Sequence, residues 1–246
     1  MTSPRFPHDE KASERLSPRS PSISVVIPVL HESAVVRPLA RRLRTLPAPG
    51  SVEILVVDGA PEADTLAALG SADAVPLRSP RGRGVQMNAG AARAAGEILL
   101  FLHADTRLPR NAFGAIAHAM ADSRIAGGAF DLAIDSPRPI FRVMERTASR
   151  RSRLTRIPYG DQAIFIRRSV FAKLGGYQEI PLMEDVDLMV RLRRSGRRIH
   201  ILPDRVRTSP RRWERDGVIF GALRNWTLAT LYALGVSPER LVRFYR

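Results

Sequence analysis

Residues 22–30, SISVVIPVL, form an apolar, largely β-branched run closed by a proline. The run is too short for a helix core, so it predicts a buried strand. In SAVVRPLARRLRTL, residues 33–46, Val36, Leu39, Ala40 and Leu43 recur at helical spacing with arginines on the other face, which predicts an amphipathic helix. The cycle then repeats. VEILVVDGA (52–60) predicts a strand, Ala63 to Leu69 a short helix, AVPL (74–77) a strand, Val85 to Ala95 an Ala-rich helix and EILLFLHAD (97–105) a strand. Strands alternating with helices build right-handed βαβ units, and hence a mostly parallel, doubly wound α/β sheet.

Beyond Ala126 the rhythm changes. GGAFDLAI (127–134) predicts a strand, and Ile140 to Leu154 an Arg-rich helix. YGDQAIFIRRSVFAKLGGY (159–177) reads as a loop, a short strand, a helix and a Gly-Gly cap. MEDVDLMVRLRRSG (183–196) predicts a helix with Val186, Met189 and Val190 on one face and Gly196 as its stop, and RIHILP (198–203) predicts the last strand. Gly217 to Val236 has the length of a bilayer span, but Arg224 and Asn225 sit near its middle. An arginine there costs roughly 2.5–3.5 kcal/mol. The expectation is therefore a helix packed on the domain or lying at a membrane interface, with Trp213, Trp226 and Tyr232 suited to headgroup depth. The division expected is a tail over 1–22, a catalytic domain over 23–215 with halves meeting near 125, and a helical extension over 216–246.

Composition narrows the partners. With 44% hydrophobic residues the chain supports a sizeable core, and with no cysteine it offers neither disulfides nor thiolate zinc sites. Any metal must use oxygen or imidazole ligands, which favours Mg2+ or Mn2+. The first 22 residues are rich in Pro, Ser and charge without an apolar signal-peptide core, so a disordered tail and a cytoplasmic catalytic part are expected, peripheral at most on the inner face of the cell membrane. The net charge of +15 invites a nucleic-acid reading, but 37 of the 39 basic residues are arginine, a bias that GC-rich coding alone produces. From Arg191 to Arg246 there are 14 arginines against 4 acids, so the excess is concentrated at the C-terminal end. A phosphorylated substrate, an anionic membrane or a nucleic acid are the partners this suits.

Three strands end in polar groups: Pro28 to Glu32, Asp58-Gly59 and His103-Ala104-Asp105. In doubly wound sheets ligands bind at the carboxyl ends of strands, so all three are expected to face one crevice. His103 and Asp105, two apart on an extended chain, point the same way and can reach one cation or one ribose-diphosphate. In RSPRGRGVQMNAGAARAAG, Gly82 and Gly84 permit close backbone approach while Arg81 and Arg83 bring charge to a diphosphate at a helix N-terminus. This is neither a Walker A loop nor a dinucleotide fingerprint. Glu184-Asp185 opens a helix and Asp161-Gln162 adds a second acidic element, so one half offers nucleotide-binding features and the other carboxylates for an acceptor or sugar. His31 and His200 read as structural and His118 as solvated.

In order and content, SVVIPVLHE, VEILVVDGA, GRGVQMNAGAARAAGEILLFLHADT, GDQAIFIRRSVFAKLGGY and MEDVDLMVRLRRSG resemble glycosyltransferase family 2 enzymes of the GT-A fold, from about Ile23 to Arg215. The likeness extends to a small bacterial subgroup with His-Ala-Asp-Thr and Met-Glu-Asp. The resemblance implies that Asp105 holds the divalent ion, Mn2+ or Mg2+, in the last place of the Asp-x-Asp motif, with His103 replacing the first aspartate. It also implies Asp58 at the nucleobase, Glu32 and Pro28 lining its pocket, Arg83 and Asn88 along the nucleotide, and Asp185 as general base with Glu184 beside it. The QxxRW motif of processive synthases is missing, and VRTSPRRW lacks the histidine often found near the last strand. The expected function is inverting, metal-dependent transfer of a sugar from a nucleoside-diphosphate sugar to an acceptor hydroxyl or carboxyl, with a lipid or carotenoid-like acceptor among the partners. A nucleotidyltransferase and a non-enzymatic basic membrane or nucleic-acid binding module remain as alternatives.

Overall fold

The computed structural model describes residues 21–70 and 74–244. The expected N-terminal tail therefore lies, but for its last two residues, outside the described residues. β1 (Ile23–Val29), β2 (Val52–Asp58), β3 (Val75–Arg78) and β4 (Ile98–Phe101) run parallel in the order β3-β2-β1-β4. Their apolar runs are continuous because each central strand feeds two cores. Val25, Ile27, Ile54 and Val56 pack beneath α1 (Ser33–Arg44) and α4 (Ala112–Met120), while Val26, Leu55 and Val57 pack beneath α3 (Arg83–Arg93) and α7 (Glu184–Arg194). Val36, Leu39, Ala40 and Leu43 are the buried face of α1, as their spacing predicts. α2 (Asp64–Leu69) and α6 (Arg168–Lys173) are short covers on the same two faces.

The second half of the sheet departs from the parallel expectation. β6 (Ile125–Ile134) and β8 (Arg198–Thr208) pair in parallel, but β7 (Phe165–Arg167) runs antiparallel between β4 and β6, and β5 (Thr106–Arg107) runs antiparallel at the edge of β8. The eight strands follow the order β3-β2-β1-β4-β7-β6-β8-β5. A strand of three residues carries no directional signal in its own sequence, so β7 is oriented by its neighbours. The last strand also continues past Pro203, where sequence alone ends it. The register jumps from Phe130 with Leu202 to Asp131 with Arg205, a bulge that skips Pro203 and its missing N–H and lets β8 run on to Thr208.

α5 (Pro139–Thr155) covers β6, and the chain after β8 returns through α8 (Arg211–Asp216), α9 (Val218–Ala233) and α10 (Pro238–Leu241). Among the described residues no helix is long and apolar enough to cross a membrane. Arg224, expected to make insertion costly, binds Asp216 at 2.5 Å. Of the three aromatics expected at headgroup depth, Trp226 is 63% exposed. Trp213 instead packs on the core, and the Tyr232 hydroxyl donates to Asp187 at 3.3 Å.

Candidate active site

α7 starts after Met183, whose left-handed backbone, φ 69°, costs about 1–3 kcal/mol in a residue with a side chain. That turn directs Glu184 and Asp185 into a cleft at the ends of β4 and β8, where His103, Asp105 and Thr208 form the opposite wall. Asp185 is held on both oxygens: Oδ2 accepts the Gly160 N–H at 2.5 Å and Oδ1 the Val186 N–H at 2.7 Å. A Cβ at Gly160 would stand 2.8 Å from Nε2 of His103 and 3.2 Å from Oδ2 of Asp185, so any larger residue there would press on both side chains. The imidazole and the carboxylate thus approach one backbone position from two sides.

Glu184 is 3% exposed and sets Oε1 3.2 Å from Nη1 of Arg83, an ion pair without hydrogen-bond geometry. Burial pushes its carboxyl above the usual range; Arg83 draws it back and Asp185 pushes it up again. Burial also works against the charge of Arg83, but Glu184, Asp185, Asp161 and Asp105 outweigh it and hold the guanidinium proton more firmly than usual. With four carboxylates around one guanidinium, the cleft has an excess of hard oxygen donors and negative charge, which fits a divalent ion of the Mg2+ or Mn2+ type. Among the described residues no three His, Asp or Glu side chains form a ready-made cage. A cation at Asp105 would need oxygens from a phosphate-bearing ligand to complete its shell.

The cleft therefore brings together six of the residues singled out by sequence: Arg83, His103, Asp105, Asp161, Glu184 and Asp185. The others, Pro28, Glu32, Asp58, Asn88 and Gln162, are not among the residues that line this cleft. Glu32 and Pro28 sit at the end of β1, and Glu32 lies 3.8 Å from Arg211 beside a second cleft that Asp105 also lines. Burial raises the Glu32 carboxyl and Asp105 adds to this against the pull of Arg211. Asp58 is fully buried; its Oδ1 accepts the Ala60 N–H at 2.9 Å, while Oδ2 makes no hydrogen bond to a described residue. The Asn88 amide is used on both sides by the backbone of Tyr177, at 2.9 and 2.8 Å, so it ties α3 to the loop after α6. Gly84, read from sequence as room for a phosphate, faces the Gln178 carbonyl, 2.6 Å from where its Cβ would be. Gln162 is buried and spends its amide on Ser152, Tyr159 and the Phe130 carbonyl.

Sequence reasoning missed three wall residues. Tyr159, under the Arg151 guanidinium at 3.3 Å from its ring centroid, Trp213 of α8 and Asn225 of α9 all line the cleft. Neither Trp213 nor Asn225 belongs to a motif, and no local pattern signals that the C-terminal helices return to the sheet.

A mixed α/β sheet with helices on both faces and a carboxylate-rich cleft at its strand ends is the GT-A architecture. Residues 24–175, more than half of the chain, match the family model Glycosyl transferase family 2, and the chain belongs to that family. Among solved structures it is similar to the mannosyltransferase PcManGT from Pyrobaculum calidifontis, determined in complex with GDP-Man and Mn2+. That likeness has a TM-score of 0.57 at 20% identity, covering 76% of this chain and 56% of that one. S. aureus TarS, residues 1–349, is similar with a TM-score of 0.60 at 16% identity, covering 77% of this chain and 61% of that one. At these identities the likeness is one of fold, and the chain spans 56% and 61% of the lengths of these two proteins. The search of curated proteins finds no match.

Proposed function

We propose that the cleft transfers one sugar from a nucleoside-diphosphate sugar to an acceptor hydroxyl or carboxyl, with inversion at the anomeric carbon. The observation that carries this reading is the Asp185 carboxylate, held by the Gly160 and Val186 N–H groups beside His103 and Asp105. Asp185 takes the acceptor proton while the acceptor oxygen attacks the anomeric carbon. The bond to the diphosphate oxygen breaks on the opposite face, and the electron pair leaves with the diphosphate. A base positioned in this way contributes roughly 10²–10⁴-fold.

The same reading assigns Arg83 and His103 to the donor diphosphate and ribose, and Asp58, Glu32 and Pro28 to the nucleobase. Asp161 and Gln162 fall on the sugar or acceptor side, Gln162 by supporting the turn that carries Asp161. Asp105 is the residue that would hold Mn2+ or Mg2+, which when bound acts as a Lewis acid on the departing diphosphate. The family membership supports a nucleotide-sugar donor, and the GDP-Man and Mn2+ bound by the mannosyltransferase relative support the donor class and the metal. The exposed apolar side chains of α9 and the arginines around them support peripheral contact with an anionic membrane and a lipid-borne acceptor. On this reading residues 23–215 form the catalytic domain, and the extension after 215 completes its acceptor side.

The test is a panel of uridine and guanosine diphosphate sugars, read by thermal shift with and without Mn2+ and by the leaving product. A ligand at a hundred times its dissociation constant stabilises by about 2.7 kcal/mol. Release of nucleoside diphosphate is expected, whereas release of pyrophosphate would indicate nucleotidyl transfer. Asp185→Asn is expected to lower transfer by about 10²–10⁴-fold with the nucleotide shift unchanged. Near-wild-type turnover in that variant overturns the base assignment.

A further inference from the structure

The cleft does not end at Asp161. Tyr159, Asp161, Trp213 and Asn225 also line an adjoining passage between α5 and α9, bordered at its far end by Met144, Ala222 and Trp226. Those three residues in turn line an outer groove that opens between Ile140 and Leu223, and every side chain lining that groove is apolar. Polarity falls along this line, from the acids of the cleft, through a passage where Asp161 and Arg151 stand beside Asn225 and Thr147, to an apolar trough. At its mouth Ile219, Leu223 and Trp226 are each more than 60% exposed. Arg224, the one charged residue within α9, is turned away from this face onto Asp216.

An exposed apolar patch marks a contact without naming its occupant. Continuity with the reacting end names it here. A molecule whose hydroxyl or carboxyl lies at Asp185 and which leaves the cleft past Trp213 meets hydrocarbon alone beyond Trp226. We propose that the passage and groove between α5 and α9 bind the hydrocarbon chain of an amphiphilic acceptor. Trp213 stands at the inner end of the track and Trp226 at its mouth. This inference rests on the transfer reading of the cleft. It adds that acceptors are selected by their apolar chain, by residues outside the nucleotide half.

The chain has two tryptophans, Trp213 and Trp226, so fluorescence reports both ends of the track. The probe is 3-bromoundecan-1-ol, whose bromine lies close to the hydroxyl and quenches an indole it touches, added to the full chain without vesicles. In Trp226→Phe, where Trp213 alone emits, saturable quenching is expected, relieved by 1-alkanols that compete about threefold to fourfold better with each added methylene. Ala222→Phe, which fills the passage, is expected to weaken quenching of Trp213 at least tenfold while leaving the sugar-nucleotide thermal shift unchanged. Saturable quenching in Trp213→Phe but not in Trp226→Phe means that the chain stops at the surface, and this overturns the proposal. Quenching of Trp213 that does not saturate overturns it equally, and needs no folded Ala222 variant to read. Saturable quenching of Trp213 with no shift from any sugar nucleotide keeps the apolar track and removes the transfer reading on which its purpose rests.

Discussion

The proposed donor side of the cleft, around β1 and β2, and the C-terminal helices that return to the cleft are held by opposite means. At the ends of β1 and β2, Gln86 of α3 donates to the Val29 and Val57 carbonyls at 2.7 and 2.8 Å and is 4% exposed, so one amide ties two strands to a helix. Two residues further on, Asn88 ties the Tyr177 backbone to the same helix. In α9 the buried residues are few, Val218, Gly221 and Leu228, and the polar ties are Arg224 to Asp216 and Tyr232 to Asp187. Its outward apolar side chains remain in solvent. The difference teaches that the proposed donor wall is over-determined, with polar groups spent inside the fold. The proposed acceptor wall is attached by a small number of contacts and leaves its apolar surface exposed.

Three substitutions or titrations sharpen that contrast. The largest effect is expected at the seam, from Gly160→Ala, whose methyl group meets both His103 and Asp185. A displacement near 1 Å of a reacting group costs about 10²-fold. Steady-state transfer should fall by that order while the melting temperature stays close to wild type. Unchanged transfer would mean that the His103–Gly160–Asp185 contact is not part of the working site.

Gln86→Leu removes both carbonyl contacts from a buried position and is expected to cost about 1–3 kcal/mol of global stability. The readout is the denaturant midpoint at constant slope. A loss as small as that of a surface change would contradict the over-determined donor wall.

The smallest effect belongs to the tie on α9. Burial, followed by Asp187, pushes the Tyr232 hydroxyl up to about 12. Because its folded value is raised, its contribution is fully present below about pH 10, the ordinary tyrosine value, and is lost as pH rises through about 12. Phenolate absorbance should show late titration, to which the buried Tyr177 and Tyr159 also contribute, and Tyr232→Phe should lower its amplitude by one tyrosine. The same variant is expected to cost under about 1.5 kcal/mol, since the group is only partly buried and its hydrogen bond is long.

Much of the donor half was legible because its signals are local. Apolar runs too short for helices became β1, β2 and β4. The spacing of Val36, Leu39, Ala40 and Leu43 became the buried face of α1, and the strand-end rule pointed to His103 and Asp105. Glu184 and Asp185 were visible as an acidic pair opening a helix. Sequence by itself thus determined the elements, their alternation and the chemical types at their ends, since periodicity and turn chemistry act over a few residues. Tertiary structure alone decided which ends meet. The Gly160 N–H reaches Asp185 across 25 positions, the Asn88 amide meets Tyr177 89 positions away, and β7 takes its direction from β4 and β6. Trp213 and Asn225 join the cleft only because β8 continues past Pro203 and returns α8 and α9 to its mouth. Contacts between residues so far apart leave no period in the chain, and their cost in loop closure is met only when the whole sheet packs.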